Sequence, residues 1–452
     1  MKYSIRLFSA AAFVLGLFCF SHAQTARPNI VVIVADDMGY ADIGPYGGKD
    51  IPTPNLDALA RDGVRFTDAY VSGPYCSPTR AGLMTGKYPQ RFGHEFNIAN
   101  EDMFAGAGLP LSETTIADRL KASGYRTALF GKWHLGYAAR YHPMERGFDE
   151  FFGFLHGGHS YMSPQHSPGN PLYNGKETVI EPAYLTDVIA DRAVEFANRN
   201  RTKPFFLYVA FNAVHTPMQA TDKYLKRFAH ISDERRRTYA AMLSAMDDGI
   251  GRTLAALDDN TLVVFFSDNG GPTQFGGVNG SSNAPLRAGK RSTWEGGIRV
   301  PFIVKWKGRL PAGTNYTRPI IQLDVLPTAL AAAGIKLDVK DLDGVNLLPF
   351  LTGKRSGPPH STLYWRLGGL MAIRKGDWKL VRMSDRGFQE QPSALTDLSV
   401  LELYNLSDDI GEATNLAPKQ ARKVKDLASD WTNWTKRLSK PAWPPPPRPA
   451  GQ

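Results

Sequence analysis

The chain has 452 residues, of which 42% are hydrophobic and 21% charged, and a formal net charge of +10. This composition excludes a fibrous or low-complexity chain and leaves room for one large core with a smaller domain beside it. The basic excess favours anionic ligands, but the basic residues are dispersed and do not single out nucleic acid as a partner.

Residues 1–23 read as a signal peptide. Lys2 and Arg6 precede a mostly apolar stretch over 7–20, and Ser21-His22-Ala23 offers small residues at the positions a signal peptidase prefers. An exported, periplasmic or secreted protein is the favoured reading, with an uncleaved membrane anchor as the alternative. An apolar run of about 14 residues is short for a bilayer. No later segment is long and apolar enough to span, so stable membrane insertion is not expected. Cleavage would remove Cys19 and leave 51 basic against 43 acidic side chains. Cys76 is then the sole cysteine, with no partner for an internal disulfide.

From there the chain alternates between two textures. An apolar run over 29–35 ends in Asp36-Asp37, and helical patterns follow at 56–62 and 114–123. A second run, 126–130, leads into Gly131-Lys132-Trp133-His134. After a helical stretch at 185–198, the run 205–211 leads to Asn212 and His215. A longer helix over 238–257 precedes the run 261–266, which ends in Ser267-Asp268-Asn269. Continuous rather than alternating hydrophobicity predicts strands buried on both faces, hence a large, mostly parallel sheet sandwiched by helices in an α/β fold. In such sheets ligands bind outside the carboxyl ends of the strands. All four carboxyl ends here carry carboxylate, amide, lysine or histidine groups, although any one of them alone could be an ordinary turn. The run Arg235-Arg236-Arg237 reads as a solvated helix face.

We assign 24–345 to a catalytic domain and 346–440 to a C-terminal α+β subdomain with a small antiparallel sheet. Strand-like runs at 370–374 and 378–383 flank Lys375-Gly376-Asp377, a hairpin signal. A helix is expected over 420–438, and the Pro-rich segment 441–452 reads as an extended tail whose default is disorder.

Asp36, Asp37, Asp268 and Asn269 offer hard oxygen ligands from two strand ends to one cation, which suits calcium, then magnesium, better than zinc. Cys76 opens the run Cys76-Ser77-Pro78-Thr79-Arg80 at the start of a predicted helix. Backbone N–H groups there favour an anion, and the Arg80 guanidinium can take two oxygens of a tetrahedral one. Taken singly, Cys76 could be a small buried hydrophobe and His134 a packed core histidine.

Cys76-Ser77-Pro78-Thr79-Arg80, followed by Ala81-Gly82-Leu83-Met84-Thr85-Gly86, resembles the signature of the formylglycine-dependent sulfatase family. Gly131-Lys132-Trp133-His134-Leu135-Gly136 resembles its second signature. Asp36-Asp37, His215-Thr216-Pro217, Asp268-Asn269-Gly270 and the stretch from Gly289-Lys290 to Trp294-Glu295-Gly296-Gly297 extend the similarity in the family's order over 27–416. Thr79 departs from the serine of many members. The resemblance implies that a formylglycine-generating or anaerobic sulfatase-maturing enzyme oxidises Cys76 to formylglycine. The hydrate of that group would attack sulfur, with Cys76 joining the metal set and Asp268 near as proton acceptor. His215 would protonate the leaving alcohol with Lys290 close by, and Arg80 and Lys132 would neutralise sulfate oxygens. His134 would then collapse the sulfated hemiacetal.

Export and this chemistry together predict a sulfated polysaccharide or oligosaccharide as substrate. Candidate sugar contacts are His94 and Glu95 after the cysteine helix, His156 and His159 in a glycine-rich loop, and the indoles of Trp133, Trp294 and Trp365. Two alternatives stay open at this point: a phosphomonoester or phosphonate-ester hydrolase, and a non-catalytic binder of sulfated glycans in which Cys76 stays a thiol. Asn-X-Ser/Thr triplets begin at Asn200, Asn279, Asn315, Asn405 and Asn433.

Overall fold

The computed structural model describes residues 27–445 except 99–105, 163–168, 275–277, 337–338, 384–386, 390–394 and 396. The leader and the last seven residues of the tail lie outside the described residues. The first half of the chain forms β1 (Asn29–Ala35), α1 (Pro54–Arg61), β2 (Val64–Phe66), β3 (Ala69–Tyr70), α2 (Cys76–Thr85), α3 (Ile116–Ala122), β4 (Arg126–Lys132), β5 (Glu150–Phe154), β6 (Leu172–Asn174), β7 (Glu177–Val179), α4 (Leu185–Arg199) and β8 (Phe205–Ala210). The second half forms α5 (Asp222–Leu225), α6 (Glu234–Ala255), β9 (Thr261–Ser267), α7 (Glu295–Ile298), β10 (Phe302–Lys305), β11 (Thr314–Tyr316), β12 (Ile320–Ile321), α8 (Val325–Ala332), α9 (Leu348–Leu351), β13 (Thr362–Leu367), β14 (Leu370–Lys375), β15 (Trp378–Arg382), β16 (Glu402–Asn405) and α10 (Ala421–Thr435).

Ten strands make one sheet in the order β11-β2-β10-β9-β1-β8-β4-β5-β6-β7. Its centre is parallel: β1 pairs with β9 and β8, and β4 with β8 and β5. These are the strands whose apolar runs are continuous, and both of their faces are covered. Along β1, Ile30, Val32 and Val34 face a core shared with α2, α3 and α8, while Val31, Ile33 and Ala35 face one shared with α1, α4 and α6. Antiparallel strands occupy the flanks, where β10 pairs with β9 and β6 with β5.

Register decides what meets at the carboxyl edge. Ala35 pairs with Ser267, Val34 with Ala210, and Gly131 with Ala210. The residues one step further on, Asp36 and Asp268 just past their strands and Lys132 at the last position of β4, therefore stand side by side.

The four-stranded antiparallel sheet β13-β14-β15-β16 stands apart in the hydrogen-bond pattern but not in packing. Its inner face and α10 share a core with Tyr70, Tyr88, Ile298, Ile321 and Leu323 from the larger unit. In the basic run at 235–237, Arg235 is exposed as expected of a solvated face, but Arg236 is a correction. Arg236 is mostly buried, and its guanidinium pairs with Asp42 at 2.7 Å and Asp50 at 2.8 Å. Among the described residues no helix is long and apolar enough to cross a membrane.

Candidate functional site

Asp36 and Asp37 follow β1, Asp268 and Asn269 follow β9, Lys132 ends β4 with His134 two residues beyond, and His215 lies in the turn after β8. Cys76 is the first residue of α2, whose helical turns begin directly below this edge. Asp37 (φ 62°) and His134 (φ 58°) adopt the left-handed conformation, so the chain turns sharply there and presents the side chains rather than extending the strands.

Cys76 Sγ lies 3.6 Å from Asp36 Oδ1 and 4.0 Å from Asp37 Oδ1. Lys132 Nζ donates to Asp36 Oδ2 at 2.6 Å, and Lys290 Nζ to Asp37 Oδ2 at 2.7 Å. Arg80 grips Asp268 Oδ2 with Nη2 at 2.7 Å and Nε at 3.0 Å. Asn269 Nδ2 donates to Asp37 Oδ1 at 2.7 Å. His215 Nε2 stands 3.6 Å from Asp37 Oδ2, with its Nδ1 2.6 Å from the Thr216 carbonyl. All six catalytic candidates and all metal candidates of the sequence thus converge.

The electrostatics follow from burial. Desolvation, with Asp268 beside it, pushes the Asp36 carboxyl up to about 7 against the pull of Lys132 and Arg80. Burial acts the same way on Asp37, but Lys290 and His215 outweigh it and hold that carboxyl well below the usual range. The Cys76 thiol is pushed up to about 12 by burial, despite Lys132 and Lys290, so it stays protonated and a weak nucleophile. Burial, with Lys290, pulls His215 down to about 3, and burial, with Lys132, pulls His134 well below the ordinary imidazole value.

A cation fits this donor set. Ligand atoms of Asp36, Asp37, Cys76 and His215 all lie within 4.8 Å of one another. The buried Asn269 Oδ1 has no hydrogen-bond partner among the described residues, which leaves one more hard oxygen for an ion. His134 is similarly placed for a reacting group, since neither ring nitrogen has a partner among the described residues.

The sugar-contact candidates divide. His156 is half-buried and stacks on Tyr137, ring centroids 4.1 Å apart, and the loop it opens lies on the site. A Cβ on Gly157 would come within 2.7 Å of His134 Cε1, so this loop crosses His134 closely only because residue 157 is glycine. His159 is buried against Phe154, and Trp294 lies half-buried under the Arg287 guanidinium, 3.9 Å from its ring centroid. Trp133, Trp365, His94 and Glu95 present no open face. Trp133 donates to the Tyr141 carbonyl at 2.8 Å and Trp365 to that of Val71 at 2.7 Å. Glu95 forms a buried pair with Arg366 at 2.6 Å, and His94 Nε2 meets Ser77 Oγ at 2.6 Å.

Sequence reasoning assigned no site role to Ser77 or Asn279. Ser77 Oγ donates to the His134 carbonyl at 2.7 Å, tying the cysteine helix to the end of β4. Asn279 Nδ2 donates to the carbonyls of Asp37 at 3.2 Å and Val214 at 2.9 Å, and its side chain is fully buried. Its Asn-X-Ser context gave no hint of this, because the two carbonyls lie far away in sequence.

The sequence model of the family described as sulfatase matches residues 28–335, and that of the N-sulphoglucosamine sulphohydrolase C-terminal region matches 288–436. The chain is 35% identical over 379 residues to N-acetylgalactosamine-6-sulfatase of Canis lupus familiaris, covering 78% of this chain and 71% of the relative. It is 33% identical over 475 residues to arylsulfatase G of Rattus norvegicus, with 90% and 88% covered. Among solved structures, Ps i-CgsB in complex with k-i-k-neocarrahexaose superposes with a TM-score of 0.83 at 38% identity, covering 92% of this chain and 94% of that one.

Proposed function

We propose, since the chain belongs to the sulfatase family and is a sulfuric ester hydrolase, that it is exported and desulfates sulfated polysaccharides or their oligosaccharides after Cys76 has been converted to formylglycine. The observation that carries this reading is the position of Cys76. It is a fully buried residue at a helix N-terminus, with two carboxylates beside its sulfur and three cationic and two imidazole side chains around them. Formylglycine at residue 76 would supply a hydrate oxygen as the nucleophile toward the ester sulfur. A bound cation, calcium ahead of magnesium, supplies charge to polarise that oxygen. Asp36, Asp37, Asp268, Asn269 and residue 76 are the groups to hold the ion.

The chain's own residues do the rest. Arg80 and Lys132 face the sulfate oxygens and offset charge that shifts onto them in the transition state. His215 is the proton donor to the leaving alcohol, with Lys290 beside it. Asp37 beside it favours the protonated form, against burial and Lys290. His134 is neutral with both nitrogens open, as a base must be to take the proton that releases sulfate. Gly157 lets its loop pack against that ring, which fixes the ring's position.

The test is a mass spectrum of the Cys76 peptide from protein made in its natural host, with turnover of matched sulfate and phosphate esters and a panel of glycosaminoglycan and algal oligosaccharides. An aldehyde at residue 76 and desulfation of at least one glycan are expected. An unmodified thiol would sink the nucleophile, preference for the phosphate ester would sink the reaction, and activity confined to aryl sulfates would sink the substrate class.

A further inference from the structure

Trp443 stands between Pro441-Ala442 and Pro444-Pro445, in a segment whose composition predicts a free tail, yet it is only 7% exposed and belongs to the core on the α2 face of the sheet. The segment leading to it is strapped down. Ser439 N donates to the Gln90 carbonyl at 3.0 Å, and Ala442 N to that of Gly93 at 2.9 Å. Arg366 Nη2 donates to the Ser439 carbonyl at 2.8 Å, and Trp443 Nε1 to that of Phe96 at 3.2 Å. Gly93 has φ 77°, and a Cβ there would come within 2.8 Å of the Lys440 carbonyl oxygen, so the underlying loop is shaped to receive the strap.

The indole meets the His94 ring edge-on, centroids 4.7 Å apart. His94 Nε2 reaches Ser77 Oγ at 2.6 Å, and Ser77 Oγ reaches the His134 carbonyl at 2.7 Å. A carbonyl only accepts, so the single Ser77 proton goes to His134 and the donor hydrogen between His94 and Ser77 sits on Nε2. An unbroken path therefore runs from the strap to the residue after Cys76 and to the backbone of His134, through fully buried groups where hydrogen bonds are strong and water entry is costly.

We infer that Trp443 and His94 are positioning residues, which hold the N-terminus of α2 against the end of β4 so that residue 76 and His134 keep their mutual placement. The inference rests on the reading of Cys76 as the reacting residue. Arg80 on α2 and Lys132 at the end of β4 are held in addition by Asp268 and Asp36, and Lys290 by Asp37, so substrate capture depends less on the strap than the placement of residue 76 does.

Trp443→Leu keeps apolar bulk but loses the ring contact and the indole donor, whereas Trp443→Phe keeps a ring. On a small aryl sulfate, Trp443→Leu is expected to lower kcat about tenfold with KM changed less than about twofold, and Trp443→Phe to recover most of the loss. Thermal melts establish folding at the assay temperature, and mass spectra of the Cys76 peptide establish equal aldehyde content. A folded, fully modified Trp443→Leu protein with unchanged kcat overturns the inference. His94→Ala, read in the same way, decides the matter if Trp443→Leu does not fold. Wild-type protein without the aldehyde would instead overturn the reading of Cys76, which separates the two failures.

Discussion

Two buried charge clusters in this molecule contain the same inventory, and only one of them is a site. At the strand ends, Asp36, Asp37 and Asp268 face Lys132, Lys290 and Arg80. Between the large sheet and the small one, Asp68, Glu295 and Glu412 face Arg299, Arg374 and Lys379. In the second cluster every carboxylate meets a cation within 3.2 Å, Glu412 Oε1 through its ion pair with Lys379 and without an aligned hydrogen bond, and the groups bridge two sheets, so it acts as a weld. The first is also paired, but it adds Cys76, an unpartnered Asn269 oxygen and an imidazole with both nitrogens open, next to the partly exposed His215. Buried charge by itself marks neither role. The thiol, the open amide oxygen and the open imidazole gathered beside the first cluster do.

The sharpest way to break this comparison is to remove one lysine from each cluster. Lys132→Met is expected to lower kcat by about 10²–10³-fold, as loss of a donor to developing charge does, with a small change in melting temperature of the metal-loaded protein. Lys379→Met leaves Glu295 and Glu412 without their shared cation and should cost about 3–5 kcal/mol of stability, with kcat per folded molecule retained. Denaturant melts and active-site titration read both. A reversal of the two effects would end the distinction.

Chelation is the next largest test. If the strand-end carboxylates hold a cation, stripping it should abolish turnover and remove about 2.7 kcal/mol of stability relative to protein at a hundredfold excess of ion over its Kd, both restored by calcium. The weld should not respond, and a melting temperature indifferent to chelator would remove the cation from the first cluster.

The smallest effect is a pH arm to which Glu412 of the weld contributes, alongside Asp36, whose carboxyl is also raised to about 7. Burial, with Glu295 nearby, pushes Glu412 up to about 7 against the pull of Lys379. A carboxyl raised in the folded state contributes stability that is fully present below its unfolded value near 4.5 and is lost as pH rises through about 7. The melting temperature should therefore decline between pH 4.5 and 7, and Glu412→Gln should flatten that arm without altering the pH profile of kcat. An unchanged arm in the variant would assign the decline to other groups.

Much of the fold is legible because its central strands are buried on both faces. The predicted runs 29–35, 126–130, 205–211 and 261–266 match β1, β4, β8 and β9 to within two residues at either end. The hairpin β14–β15 and helix α10 are found where the Lys375-Gly376-Asp377 turn and the helical period put them. Short outer strands such as β2, β6 and β11 escape sequence reading because three-residue pairings leave no periodic pattern. Residues near the signature motifs were easier to find than to interpret. His94 and Glu95 look like sugar contacts, but Glu95 is claimed by Arg366, 271 positions away, and His94 by Ser77 and Trp443.

The sequence alone determined the parallel sheet, the polar strand ends and the family, because continuous apolar runs and ordered motifs are local properties of the chain. Only the tertiary structure decided which polar residues share a cavity and which are sealed. Register brings Asp36, Lys132 and Asp268 side by side, a glycine admits the 156–161 loop against His134, and a proline-rich tail closes over His94. Each of these is a contact between segments far apart in sequence, where burial and pairing depend on what the rest of the chain delivers to the same place.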